Sequence, residues 1–432
     1  MISRIPGILI SIFFWLAVFA SPLSAQGIKE DVLTVEQALL AAFQNNPEVQ
    51  EARKKVKMQE ARHQQSRKLA NPEVEVEADK IRRDLTNEDE EEDDESNFSQ
   101  LEGGVRINQP LELWGKRGLK VDIAKDEIIQ AQLEFKGVWL DIARQVKEQY
   151  AQTLLEQKSI DLAEENLNIA RRLLDQVQVR FNSGNARNHE LVRAKLEAAN
   201  ARNNLLRSEN NFRIALGKFN ILLGRKMDEA VKLKDVLTVA EMKRTLADYL
   251  ETALSGRADI LGQQREVAKK EKELSLAKRK KLPDVTVGVF ANREDEMYNA
   301  GAALSFELPV WDQSQGDVRE AGLQKQTAEI HLDALKRSVE LEVYEAFQNV
   351  NLAFQTVHNL EDSMREANEL LRIITIEYDE GEVLFLTYLE GIASYQKTKQ
   401  EYLEALTEYA HKSADLEQSI GQAQEGIGEE KQ

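Results

Sequence analysis

The chain contains no cysteine. That absence rules out a disulfide framework, thiolate metal sites, a cysteine nucleophile and an N-terminal lipid carried on cysteine. Histidine is sparse: His63, His189, His331, His358 and His411 are scattered, and no pair has the i, i+4 spacing of a metal-binding helix face. There is no phosphate-binding glycine loop and no nucleophile elbow. We therefore expect no catalytic residue, cofactor or resident metal, and no enzyme. A basic stripe is missing as well. The net charge of −18 argues against a general nucleic-acid partner. Long apolar runs are also lacking. The stretch Ile8 to Ala20 falls short of the ~20 residues of a spanning helix. With Arg4 before it and Ser-Pro-Leu-Ser-Ala after it, it reads as the core of a secretory signal over residues 1–25, cut after Ala25. If the mature chain crosses a membrane, it must do so as a closed β-barrel.

Breakers are few, with seven prolines in 432 residues, and the chain uses that freedom for two very long helical arms. Leu119 to Ser183 contains only Gly137 as an interior breaker. Its later half repeats apolar residues in steps of three and four: Ile160, Ala163, Leu167, Ala170, Leu174, Val177, Phe181. That is a coiled-coil seam. Leu323 to Glu380 has no Gly or Pro and runs Val343, Phe347, Val350, Phe354, Val357, Glu361, Met364, Ala367, Leu371, Ile374, Tyr378, broken only at Glu361. An arm of about 60 residues spans about 90 Å at ~1.5 Å per residue, more than a globular core requires.

Short alternating stretches flank the arms. Glu73 to Asp79 sets Val74, Val76 and Ala78 against Glu73, Glu75 and Glu77, the period of a strand. A second strand runs from about Phe98 to Gln109. Between them lies an acidic loop, residues 84–95, whose like charges keep it solvated. The plan then recurs. Pro72 answers to Pro283, Pro110 to Pro309, Gly184 to Gly381 and Gly224 to Gly421. Val285, Val287, Val289 and Ala291 pair with Ala300, Ala302, Leu304, Phe306 and Leu308 in a second hairpin.

We therefore expect a first structural repeat over 26–224, with a helix at 34–69 broken locally at Pro47 after Asn45-Asn46, a β-hairpin at 73–109 and a long helical hairpin at 118–223. A connector follows over 225–244. The second repeat, 245–421, carries a helix at 245–281, a β-hairpin at 284–308 and a helical hairpin at 316–420; 422–432 is a polar tail. The fold class is mostly α with a small β part. Four strands cannot close a barrel, and open edges cannot face lipid. Three copies would supply twelve strands around a water-filled bore. Trp114, Tyr298 and Trp311 lie near strand ends, where interfacial aromatics or simple junction packing would put them.

This order of elements resembles the TolC-type outer membrane factors. So do Ser305-Phe-Glu-Leu-Pro-Val-Trp-Asp-Gln-Ser-Gln-Gly316 and the matching Gln109-Pro-Leu-Glu-Leu-Trp-Gly-Lys-Arg-Gly118. The latter is similar to the CzcC-like branch, whose members serve metal-ion efflux. The resemblance implies a homotrimeric exit duct: a 12-stranded barrel in the outer membrane, a helical tunnel across the periplasm, and as partners a periplasmic adaptor and an inner-membrane pump such as an RND transporter. It places the periplasmic tips at the turns of Gly184 and Gly381. Near them Glu190 and Glu390 match acidic positions of the family, Thr387 departs from the acidic pattern, and Arg193 faces Glu390 by repeat position. Together these form a candidate gate. Asn182, Ser183, Asn185, Ala186, Val383, Leu384, Phe385 and Leu386 flank the turns. The apolar Leu384-Phe385-Leu386 patch either docks the adaptor or caps the helical layer. The rival reading is a periplasmic coiled-coil rod or adaptor that conducts nothing. It accounts for the seams but not for two amphipathic hairpins at equivalent places.

Overall fold

A computed structural model describes residues 32–79, 102–234, 237, 239–242, 244–294 and 297–422. The signal at 1–25, the acidic loop at 84–95 and the tail beyond Gln422 lie outside these residues.

Helix α1 (Val35–Asn45) starts from a capping box, with Thr34 Oγ1 accepting from Gln37 N–H and Gln37 Oε1 from Thr34 N–H. Strand β1 (Val32–Leu33) precedes it. Helix α2 (Pro47–Ser66) begins one residue later, with proline at its first position. Proline is tolerated there because that N–H has no intrahelical partner. Strands β2 (Glu73–Asp79) and β3 (Glu102–Leu111) lead into α3 (Lys116–Asn182) and α4 (Asn188–Leu222). A second short strand, β4 (Lys232–Leu233), pairs in parallel with β1. Then come α5 (Leu246–Gly256), α6 (Ala258–Lys280), β5 (Val285–Glu294), β6 (Met297–Phe306), α7 (Gln315–Glu380) and α8 (Phe385–Ser419). The fold is mostly α with a small β part, as the sequence indicated. At 67 and 66 residues, α3 and α7 are each about 100 Å long at ~1.5 Å per residue.

Two features differ from the sequence reading. The expected helix at 245–281 is two helices, divided at Arg257, whose extended backbone (φ −65°, ψ 132°) ends α5 and begins α6. The first such break is written in the sequence as Asn46-Pro47; the second has no proline to mark it. The β1–β4 pairing was not expected, because two-residue strands carry no period.

The seams also shift. In α3, Ala163, Leu167, Ala170 and Val177 are buried as expected, but Leu173 is buried in place of Leu174, and Phe181 is exposed. In α7, Ala346 and Ala353 are buried beside Val343, Val350 and Val357, while Phe347 and Phe354 pack on the flank. Each long helix has more than one neighbour: α3 packs on α4 and α8, and α7 on α8 and α6. A buried face shared between two partners is wider than a single coiled-coil stripe.

Three apolar cores result among the described residues. One, halfway along α3, joins Ala38, Val49, Ile142, Val146, Tyr150 and Phe219. Its counterpart on α7 joins Ala253, Ile260, Val339, Val343, Val350 and Tyr409. The third lies at the far ends of all four long-hairpin helices. Each of α3, α4, α7 and α8 ends in a Schellman cap on a left-handed glycine; at α3, for example, Gly184 N–H donates to Phe181 O and Asn185 N–H to Arg180 O.

Candidate functional site

The sheet runs β2–β3–β5–β6, antiparallel throughout, so the two hairpins join edge to edge. Register puts Val76, Val105, Ala291 and Ala300 in one cross-strand row, and Val74, Ile107, Val289 and Ala302 in the next. Because side chains alternate, these rows share one face. Val74, Val76, Val105, Ile107, Val289, Leu304 and Phe306 all lie exposed on it. The opposite face carries Glu73, Glu75, Glu77, Arg106, Asn108, Asn292 and Asn299. Arg106 lies 3.8 Å from Glu75, and Asn108 Nδ2 donates to Glu75 Oε2 at 3.3 Å. No helix among the described residues is long and apolar enough to cross a membrane. The apolar face of the sheet is the surface suited to hydrocarbon, with its polar face suited to water.

At the other end of the molecule the Gly184 and Gly381 turns sit side by side on the third core. Arg180 joins the two hairpins. Its Nη2 donates to Tyr378 O at 2.9 Å and to Asp379 O at 3.4 Å, and its guanidinium lies 4.6 Å from the Tyr378 ring centroid. A cation on the last carbonyls of α7 also complements that helix's dipole. Gln176 Nε2 donates to Asp379 Oδ1 at 3.0 Å. Tyr378 stacks flat on Tyr388 at 4.5 Å, and burial pushes both phenol pKa values up.

A family model described as outer membrane efflux protein matches residues 38–225 and 249–422. The chain belongs to the outer membrane efflux protein family. It is therefore an outer membrane efflux channel protein with its helical part in the periplasm, and not an enzyme. It is 23% identical over 392 residues to the cobalt-zinc-cadmium resistance protein CzcC of Cupriavidus metallidurans, covering 90% of each chain. Its fold is similar to the Campylobacter jejuni CmeC outer membrane channel, with a TM-score of 0.74 at 15% identity over 90% of this chain and 85% of that one. The outer membrane protein VceC from Vibrio cholerae gives 0.71 at 16%, over 90% and 96%.

Gly184 and Gly381 have φ of 80° and 81°, with open space around both. Asn182, Ser183 and Asn185 are exposed beside the first turn. The apolar patch at the second turn splits. Val383 and Phe385 pack into the tip core, whereas Leu384 (77% exposed) and Leu386 (58%) face out. Alternate residues thus take the capping and the exposed role. Arg193 pairs along its own helix with Glu197 at 3.2 Å. Glu390 is exposed and shares with Arg193 and Glu197 a cleft of about 320 Å³ between α4 and α8. Thr387 is exposed; Glu190 is half-buried and close enough to Tyr378 to bear on its pKa. In the sequence Tyr378 ends the seam and opens the Tyr-Asp-Glu-Gly turn, and nothing marks Arg180, although it stands directly before the matching Phe-Asn-Ser-Gly turn. Trp114 is a junction residue: its indole Nε1 donates to Pro283 O at 2.8 Å. Tyr298 and Trp311 are open.

Proposed function

We propose that this chain is the passive exit duct of a tripartite efflux system, working as a homotrimer with a periplasmic adaptor and an inner-membrane pump, and that its cargo is heavy-metal cations. The observation that carries the reading is the sheet: one apolar face, one charged face, and two strands, β2 and β6, with no partner on their outer edges among the described residues. In lipid each unsatisfied backbone group costs several kcal/mol, so the edges must close on other copies. The helical layer has matching free edges. Val192, Leu196, Leu206, Ile214 and Ile221 form an exposed apolar stripe along α4. Tyr344, Leu352, Leu370, Ile373 and Ile376 form one of similar length along α7. Since α4 runs away from the tips and α7 runs towards them, two copies can pair these stripes antiparallel. The cargo class rests on the likeness to CzcC.

The same reading divides the chain into two repeats, 26–224 and 245–421, and makes the Gly184 and Gly381 turns the periplasmic mouth. Glu190, Arg193, Thr387 and Glu390 line that mouth. Leu384 and Leu386, with Asn182, Ser183 and Asn185, are the adaptor-facing surface. Single-channel recording of the purified protein tests the duct: stable conductance from a trimer supports it, and a detergent-independent protein with no conductance refutes it. Deleting the gene and scanning metal sensitivity tests the cargo; unchanged tolerance of cobalt, zinc and cadmium would remove the metal assignment while leaving the duct intact.

A further inference from the structure

The end of the sheet that meets the helices carries a basic collar. In a chain of net charge −18, α6 finishes in Lys278-Arg279-Lys280 and is followed by Lys281. Two of the four are engaged: Arg279 Nη1 donates to Trp114 O at 2.9 Å, and Lys280 pairs with Asp317 at 2.9 Å. Lys278 and Lys281 are exposed and have no ion pair among the described residues; the same holds for Lys68, just past the end of α2. Arg117 sits between these groups, its Nη2 donating to the Arg67 carbonyl. Register brings them to one end. Val285, four residues after Lys281, pairs with both Leu111 and Phe306, and Glu73, five residues after Lys68, pairs with Asn108.

Cations at the ends of α2 and α6 also complement helix dipoles. That does not explain the apolar residues beside them. Leu308 continues the outward row of β6 at 69% exposure, and Trp311 is 92% exposed. An indole so open, at the rim of an apolar sheet face, suits the boundary between hydrocarbon and headgroups.

We infer that Lys68, Arg117, Lys278 and Lys281, with Leu308 and Trp311, form a docking surface for the anionic phospholipid headgroups of the periplasm-facing leaflet. The lysines supply the charge and the apolar pair reaches into the acyl region. The surface fixes the height of the sheet in the bilayer. This inference rests on the sheet being the membrane-spanning wall.

The test uses the full chain in detergent with brominated lipids, which quench tryptophan on contact; Trp311→Phe identifies the Trp311 signal. Brominated phosphatidylglycerol should half-quench Trp311 at an about fivefold lower mole fraction than brominated phosphatidylcholine. The triple variant K68Q/K278Q/K281Q should bring the two midpoints together with an unchanged circular dichroism spectrum. Should that variant not fold, Lys281→Gln alone should narrow the gap. Equal midpoints in the natural chain, or a gap that survives the lysine changes, would overturn the inference. No quenching of Trp311 by either lipid would overturn both this inference and the reading of the sheet as a lipid-facing wall.

Discussion

The two halves of the molecule solve one problem with different chemistry. In each, a short helix breaks beside the C-terminal end of a long hairpin, and one side chain at the break holds a carbonyl of that hairpin. In the first half it is Asn46, whose Nδ2 donates to Leu222 O at 2.9 Å while its Oδ1 caps Glu48 and Val49 N–H. In the second it is Arg257, whose Nη1 donates to Ser419 O at 2.7 Å and to Glu342 at 2.8 Å, with Nη2 on Asp259 at 2.7 Å. Each break also receives the glycine that ends the hairpin. A Cβ on Gly224 would lie 2.5 Å from Asn45 O; one on Gly421 would lie 2.9 Å from Arg257 Cγ. A neutral amide and a guanidinium thus do the same positional work, but only the second brings charge to the joint.

The largest effect should come from the glycines. Gly224→Ala combines a left-handed backbone with a collision against a backbone oxygen, and should lose about 3 kcal/mol or more, or fail to fold. Gly421→Ala should lose less, because the atom it strikes first belongs to a side chain. Gly184→Ala and Gly381→Ala, in open space, should show only the left-handed penalty of ~1–2 kcal/mol. Thermal melts in detergent rank the four. Equal losses at Gly224 and Gly184 would mean that the joint does not need its close approach.

Next comes the charge difference itself. Asn46→Ala removes a cap and leaves a carbonyl unpaired, about 2 kcal/mol in all. Arg257→Ala should lose about 2–3 kcal/mol: it also leaves a carbonyl unpaired, but its two carboxylate partners are more than a third exposed and so contribute little. High salt separates the two. In 1 M salt the loss at Arg257 should shrink by the small share its ion pairs contribute, while the loss at Asn46 holds, because screening acts on charge pairs and not on amide bonds. Parallel salt dependence would erase the contrast.

Much of this was legible in the sequence, and the limits have physical causes. The sheet's two faces and the four glycine turns are written in alternation and in glycine placement, signals that belong to single residues. Asn46-Pro47 announces its break for the same reason. Arg257 does not, because a guanidinium that caps by reaching across to α7 and α8 leaves no local mark. The tip shows the same divide. Gly184 and Gly381 follow from the turns; repeat position sets Arg193 opposite Glu390, and the structure pairs Arg193 with Glu197, one helical turn away on its own helix. The contact that joins the hairpins, Arg180 on Tyr378 and Asp379, ends on backbone carbonyls, which no side-chain pattern reveals.

The tip therefore offers a third comparison. If the hairpins hold the mouth closed through the bonds present in one chain, Arg180→Ala should raise single-channel conductance more than Arg193→Ala. Arg180 spans two hairpins; Arg193 only braces α4. A severalfold rise for Arg180→Ala and little change for Arg193→Ala would support this ordering, and the reverse would favour the proposed gate of Arg193 and Glu390.

The smallest expected effect lies in the seam where α3 meets α8 and the two halves touch. There Glu148 packs beside Arg144 and Asp415, with His411 Nε2 at 3.1 Å from its carbonyl. Burial pushes the Glu148 carboxyl above its ordinary value, against the pull of Arg144; nearby Asp415 pushes the same way as burial. The folded chain thus holds this proton more tightly than the unfolded one. The stability linked to it is fully present below the ordinary value of 4.5 and is lost as pH rises through the folded value. At neutral pH the ionised carboxylate is therefore a net burden. Glu148→Gln should be slightly more stable than the natural chain at pH 7.5, by under about 1 kcal/mol, because Arg144 keeps Asp415 as a partner at 3.4 Å. The gap should close well below the ordinary value of 4.5, near about pH 3, where the natural carboxyl is protonated in both states. Melts of both proteins at the two pH values decide it. A variant that is less stable at pH 7.5 would show that the Arg144 pair outweighs the burial of the charge, and the seam would then be held by its ion pairs rather than in spite of them.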